Sequence, residues 1–240
     1  MTVAIKELKE KPLLNQPREG AGWARVTVSD VGKIVAALEH CKAQKAGLLV
    51  AEIQFHLKEL GFPQKVSDAD KGNMRDYITK FTGGWSVGEM YTYMKGLDVP
   101  WELTPGNREN IGRVLDGQRI LKGGGEGLAK VHLYLKVMGM REEVTKDDKR
   151  KMRESLADLR WAGRADSIAE MLYRMRELDL TVEVTDEDKR VMRDGLTRLR
   201  RAGAGQSLAR MLFHLQKIMP PEGTQTTPPM PPLRKWGGVR

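Results

Sequence analysis

One two-helix pattern is written five times between Thr27 and Gly223, and a chain built that way has to bury its apolar residues between units. The clearest copies are Val144 to Glu183 and Val184 to Gly223. At an offset of 40 they share a Val-Thr start, an Asp-Lys-Arg run, a Met-Arg pair, Arg-x-Ala-Gly, and Ser, Ala, Met and Leu beyond it.

Each unit opens on a hydroxyl residue, Thr27, Ser67, Thr104, Thr145 or Thr185, followed three residues later by Asp30, Asp70, Asn107, Asp148 or Asp188. The hydroxyl can accept from an orphan amide of a helix start, and the acid suits the positive end of the helix dipole. Helix A therefore begins there. Its apolar residues recur at helical spacing: Ile34, Leu38 and Cys41; Met74, Ile78 and Phe81; Ile111 and Leu115; Met152, Leu156 and Leu159; Met192, Leu196 and Leu199.

A Gly-containing break follows at Gly47, Gly83-Gly84, Gly123-Gly124-Gly125, Gly163 and Gly203, and helix B is then marked by a small residue, Ala51, Gly88, Ala129, Ala169 or Ala209. From that residue, apolar groups fall at +2, +6 and +9, as in Met171, Met175 and Leu178 or Met211, Leu215 and Ile218. The expected fold is all-α: an α-solenoid of five helix-turn-helix repeats (27–66, 67–103, 104–144, 145–184 and 185–223). Extended tails flank it, an N-terminal extension at 1–26 and a Pro-rich basic arm at 224–240, and they are expected to cover the two ends of the stack.

The helix B sequences Ala169, Met171, Leu172, Met175 and Ala209, Met211, Leu212, Leu215 resemble the pentatricopeptide repeat, as do Gly61 and Gly139 at +10 and the Arg-Trp-Ala-Gly and Arg-Arg-Ala-Gly turns at 160–163 and 200–203. The period here, 37 to 41, is longer than the family's, mostly through helix A. The resemblance implies single-stranded RNA binding in an organelle, mitochondrion or plastid, or a place in an organellar ribonucleoprotein, and it implies no catalytic activity. It places the family's base-reading positions on Ala36, Asp76, Arg113, Glu154 and Asp194. Acids there repel a phosphate chain, so contact with the RNA backbone is expected in place of a base-by-base code.

A basic ladder is the expected contact. Lys149, Arg153 and Arg160 are spaced i, i+4, i+11, within about 40° of one another on the helix. The same places hold Lys189, Arg193 and Arg200, then Lys71 and Arg75, Arg108 and Arg119, and Lys42. Like charges at i, i+4 destabilise a helix by roughly 0.2 to 0.5 kcal/mol. Either an outside anion compensates them, or acids of adjacent helices such as Asp158, Glu170, Glu177 and Asp194 do. The formal net charge is +9, concentrated toward the C-terminal end, which fits docking on RNA or on an acidic protein surface.

The stretch Pro220 to Arg240 is expected to be extended, with polyproline II segments. Its Arg234, Lys235, Trp236 and Arg240 combine phosphate-pairing cations with one stacking ring, and Pro229, Pro232 and Arg234 match a P-x-x-P-x-R ligand of an SH3-type groove. No catalytic residue, metal site or cofactor is expected. His40, His56, His132 and His214 lie on different units without a second ligand at i+3 or i+4, Cys41 is alone on an apolar stripe, and GGGEG at 123–127 lacks the strand and Gly-Lys-Ser/Thr of a phosphate loop. No apolar run approaches the roughly 18 residues of a membrane span. The N-terminus, with Glu7, Glu10 and Glu19, reads as neither a secretory signal nor a transit peptide. Beside an RNA-associated role stands a second one, a protein scaffold or accessory subunit of a large non-RNA assembly.

Overall fold

The computed structural model describes residues 22–140 and 142–219. A 3-10 turn at Gly22–Ala24 precedes ten helices: α1 Val28–Ala43, α2 Gly47–Glu59, α3 Asp68–Lys80, α4 Gly84–Gly96, α5 Pro105–Ile120, α6 Gly125–Val137, α7 Lys146–Trp161, α8 Ala165–Glu177, α9 Asp186–Ala202 and α10 Gly205–Ile218. Among the described residues there is no strand. The odd-numbered helices are the expected helices A and the even-numbered ones the helices B.

All five expected N-caps are in place, and each closes a full capping box: the hydroxyl accepts from the N3 amide, and the Asp or Asn side chain accepts from the cap amide. The apolar stripe is the core. Ile34, Met74, Ile111, Met152 and Met192 are all fully buried, as are Ala51, Ala129, Ala169 and Ala209. Phe81 departs from expectation, for it is about half exposed. Helix α3 stops at Lys80, so Phe81 sits in the turn and leaves the buried face.

The array also differs from an open stack with covered ends. Each outer helix packs on its own inner helix and on the preceding one, and α10 completes the series by packing on α1 and α2. The inner helices touch in the cycle α2, α4, α6, α8, α10 and back to α2. The units thus form a ring, with the even helices around the axis and the odd helices outside. A ring has no ends to cap. Closure also leaves equivalent elements at equal height, so the A-to-B turns share one end of the axis and the B-to-A loops the other.

Close approach between units depends on small residues. A Cβ at Gly47, Gly125 or Gly205, each the first residue of an inner helix, would overlap the carbonyl oxygen of Asn73, Lys151 or Lys33 on the next outer helix. At the joint between the fourth and fifth units the first inner-helix residue is Ala165, and there the facing outer helix supplies the glycine, Gly195. Residues 22–26 lie against α9 and α10, Ala24 and Val26 buried, in the place that loops occupy elsewhere.

Candidate nucleic-acid interface

The ladder residues divide into two groups. Arg119, Arg160 and Arg200, in the last turns of α5, α7 and α9, are not free cations. Arg160 donates to Asp188 at 2.6 Å and to the Glu183 carbonyl at 2.9 Å. Arg119 donates to Asp148 at 3.0 Å and to the Glu143 carbonyl at 3.3 Å. Arg200 crosses from the last unit to the first, donating to Asp30 at 2.9 Å and to the Arg25 carbonyl at 2.7 Å. Lys42 stands 3.5 Å from Asp70. The acids that neutralise these cations are therefore the buried capping acids of the next unit, in place of the expected Asp158, Glu170, Glu177 and Asp194.

Each capping acid is a hub. Asp148 accepts from the Thr145 amide, from Arg119 and from His132 Nε2 at 3.1 Å. Burial pushes its carboxyl up, but Arg119, the Thr145 amide and His132 outweigh that and hold it below the usual carboxylate range. Gln54 does for Asp70 what His132 does for Asp148, donating at 3.1 Å. The clasp is missing only between the second and third units, where Asn107 replaces the acid and Asn110 reaches the Thr82 carbonyl instead.

The remaining ladder residues differ in what holds them. Lys71 and Lys189 are held by Asp68 and Asp186 of their own first turns. Arg193 lies over the Trp23 ring, 5.4 Å from its centroid. Arg75, Arg108 and Arg153 are exposed, and Lys149 is half-buried. Ala36, Asp76, Arg113, Glu154 and Asp194, the positions implied by the resemblance, are exposed on outer helices. Arg234, Lys235, Trp236 and Arg240 of the arm, with Pro229 and Pro232, lie outside the described residues.

Around the axis the inner helices carry two polar layers. One is Glu52, Glu89, Lys130, Glu170 and Arg210; the other is His56, Tyr93, Tyr134, Arg174 and His214. Arg210 pairs with Glu52, Lys130 with Glu89 and Arg174 with Glu170, so three acids meet three bases. Burial pushes the Tyr93 and Tyr134 hydroxyls well up and both histidines well down, and it raises Glu52 in spite of Arg210. At the far end a second ring of contacts runs through the helix C-termini. Lys58 donates to the Gly96 carbonyl, Lys95 to Val137, Lys136 to Glu177 and Arg176 to Lys217, while Lys217 pairs with Glu59.

Unpaired positive charge also stands at the other end, on the A-to-B turns. Each turn region presents an exposed cation, Lys45, Lys80, Lys122, Arg164 or Arg201, and the fifth adds Arg198, none with an ion pair among the described residues. No acid occurs in segments 43–46, 80–83, 119–124, 159–164 or 198–204. Among the described residues, four of the five exposed large apolar ones, Trp161 at 93%, Ile120 at 84%, Leu121 and Phe81, stand on the same turns. Between the first two units a cavity of about 350 Å³ opens there, lined by Lys45, Lys80, Tyr77 and Phe81 and also by Asp76, the two rings 4.6 Å apart. Lys45 occupies left-handed backbone, φ 54°, where the third to fifth units place Gly123, Gly163 and Gly203. That conformation disfavours a side chain, yet the position carries a cation. The sequence signal for this face was the absence of acid from every turn, which reading along single helices passes over.

Among the described residues no three His, Cys, Asp or Glu side chains are grouped to hold a metal, and no helix is long and apolar enough to cross a membrane. No family model, curated protein or solved structure matches the chain.

Proposed function

We propose that the chain is a non-catalytic, RNA-associated helical-repeat protein, a ribonucleoprotein component that lays the A-to-B turn end of its ring on an RNA backbone. The observation that carries the reading is an exposed cation on every A-to-B turn, in segments without acid, at the end that also bears Trp161 and Phe81. Five cations at one level suit a phosphate chain, and exposed rings among them suit unpaired bases, which stack without regard to sequence. The contact therefore moves from the ladder to the turns, because Arg119, Arg160 and Arg200 hold the ring together.

The test compares two variants of the full chain on a labelled single-stranded RNA of mixed sequence. Replacing Lys45, Lys80, Lys122, Arg164 and Arg201 by Gln is expected to abolish binding. Partial sets should flatten the plot of log K against log salt by about 0.7 for each lost phosphate contact. Replacing Arg153 and Arg193 by Gln should change affinity little. Equal loss in both variants returns the contact to the ladder, and no binding by the wild-type chain rejects the RNA reading. A protein scaffold is the second reading, favoured by Ile120 and Leu121, whose aliphatic side chains suit a protein pocket better than a base. In that case Ile120→Ser with Leu121→Ser releases the chain from its assembly while the five-Gln variant stays bound.

A further inference from the structure

Four of the five joints between units are crossed by a loop of the backbone, 60–67, 97–104, 138–145 or 178–185. Among the described residues, the joint between the fifth and first units has no such crossing. It is held by side chains and by residues 22–26, whose Trp23 and Arg25 carbonyls accept from Arg200. Arg210 and Gln206 of α10 meet Glu52 of α2, and Lys217 meets Glu59. At the centre of this joint His56 of α2 faces His214 of α10, ring centroids 6.2 Å apart, with Phe213 between them in contact with both. Both histidines are buried, and neither Nδ1 has a hydrogen-bond partner among the described residues.

We propose that this joint is an acid-opened seam: protonation of His56 and His214 parts α10 from α2 and opens the ring, while the second, third and fourth units stay folded.

The surroundings leave no place for the added charge. The groups facing the pair are Glu52 and Glu59 of α2, Glu89 and Tyr93 of α4, Glu170, Tyr173 and Arg174 of α8, and Arg210 and Lys217 of α10. Lys130 and Tyr134 of α6 complete the layers across the axis. Cys41 of α1 lies near Glu52, Asp70 of α3 bonds Gln54, and the Arg200–Asp30 pair joins α9 to α1. Glu52, Glu89 and Glu170 are already matched by Arg210, Lys130 and Arg174. A proton on either ring is thus uncompensated, and two place like charges side by side next to Arg210 and Arg174. Burial and these cations already depress both histidines. Glu52 works the other way, since burial favours its neutral form and acid relieves it, so the two histidines have to outweigh one carboxyl.

Hydrogen exchange of the full chain at about pH 7.5 and pH 5.5, corrected for intrinsic rates, tests this. Residues 22–26, α1, α2, α9 and α10 are expected to lose protection by an order of magnitude or more in acid while α4 to α7 keep theirs. The radius of gyration from solution scattering should rise over the same range. The double substitution His56→Phe, His214→Phe should keep the ring closed at pH 5.5, whereas His132→Gln, away from the seam, should leave the opening intact. Should the double variant fail to fold at pH 7.5, His214→Phe alone should lower the pH of opening, its ring packing with Phe213 and Tyr173. Uniform loss of protection over all units, no loss at all, or unaltered opening in the histidine variants would overturn the proposal.

Discussion

Arg200 and Asp30 are 170 residues apart in the chain, yet the guanidinium of one donates to the carboxylate of the other at 2.9 Å, the same contact that Arg160 makes with Asp188 and Arg119 with Asp148. A contact repeated between neighbouring units is here reused to join the last to the first. Asp30→Ala removes a buried acid that also caps α1 and strands Arg200, so stability should fall by about 2 to 4 kcal/mol. Asp186→Ala, which breaks only an exposed pair with Lys189, should leave the urea midpoint where it was.

Glycine substitutions should split in sign. Gly125→Ala drives a Cβ into the Lys151 carbonyl, a backbone atom with little freedom to yield, and should cost about 1 to 3 kcal/mol or more. Gly112→Ala, within α5 and with open space around it, should stabilise by about 0.5 to 1 kcal/mol. Urea midpoints that move the same way for both would show that the units are not packed as described.

His132→Gln is expected to be tolerated, because Gln54 already makes the equivalent bond to Asp70. Its effect should depend on pH. Burial holds His132 below its ordinary pKa of 6.5 despite Asp148, so the unfolded chain takes up the proton first and stability falls as pH drops below about 6.5. Glutamine carries no such penalty. Relative to wild type, the variant should gain stability between pH 7.5 and 5.5 in denaturant titrations; a constant difference would mean that His132 does not titrate there.

Trp161 is almost wholly exposed and has little packing to lose. Trp161→Ala should therefore leave the thermal midpoint unchanged and weaken binding to single-stranded RNA, with about 1 to 3 kcal/mol lost if a base stacks on the indole. Equal RNA affinity in the variant removes Trp161 from the interface.

Lys45→Gly should move stability and binding in opposite directions. Relief of the left-handed lysine, φ 54°, should add up to about 1 kcal/mol, while the loss of one end-face cation lowers RNA affinity and the salt slope. A lysine whose replacement alters stability alone has no part in the interface.

The helix starts were legible because a capping box is local, three residues wide and repeated. The apolar stripe was legible for the same reason, except at Phe81, where three fewer residues in α3 moved the helix end past it. The acids that quench the ladder were not. Asp148 and Asp188 had an evident role as caps, and nothing within one unit says that the preceding helix ends beside them. Closure was hidden more deeply, since it depends on small rotations accumulated over every joint. His56 and His214 looked isolated along the chain, but reading the same inner-helix place in each unit gives His56, Tyr93, Tyr134, Arg174 and His214, one of the two polar layers around the axis.

The packing of α10 on α1 and α2 also limits how such a chain could change in length. An open stack accepts another copy at either end without disturbing those inside. Here each unit subtends about a fifth of a circle, and a sixth would demand a shallower angle at every joint, with new partners for glycines that already touch the neighbouring backbone. Duplication or deletion of a unit is therefore a change to the whole circle at once. Cutting the chain in a B-to-A loop and joining its ends across the seam, by contrast, would leave every angle as it is.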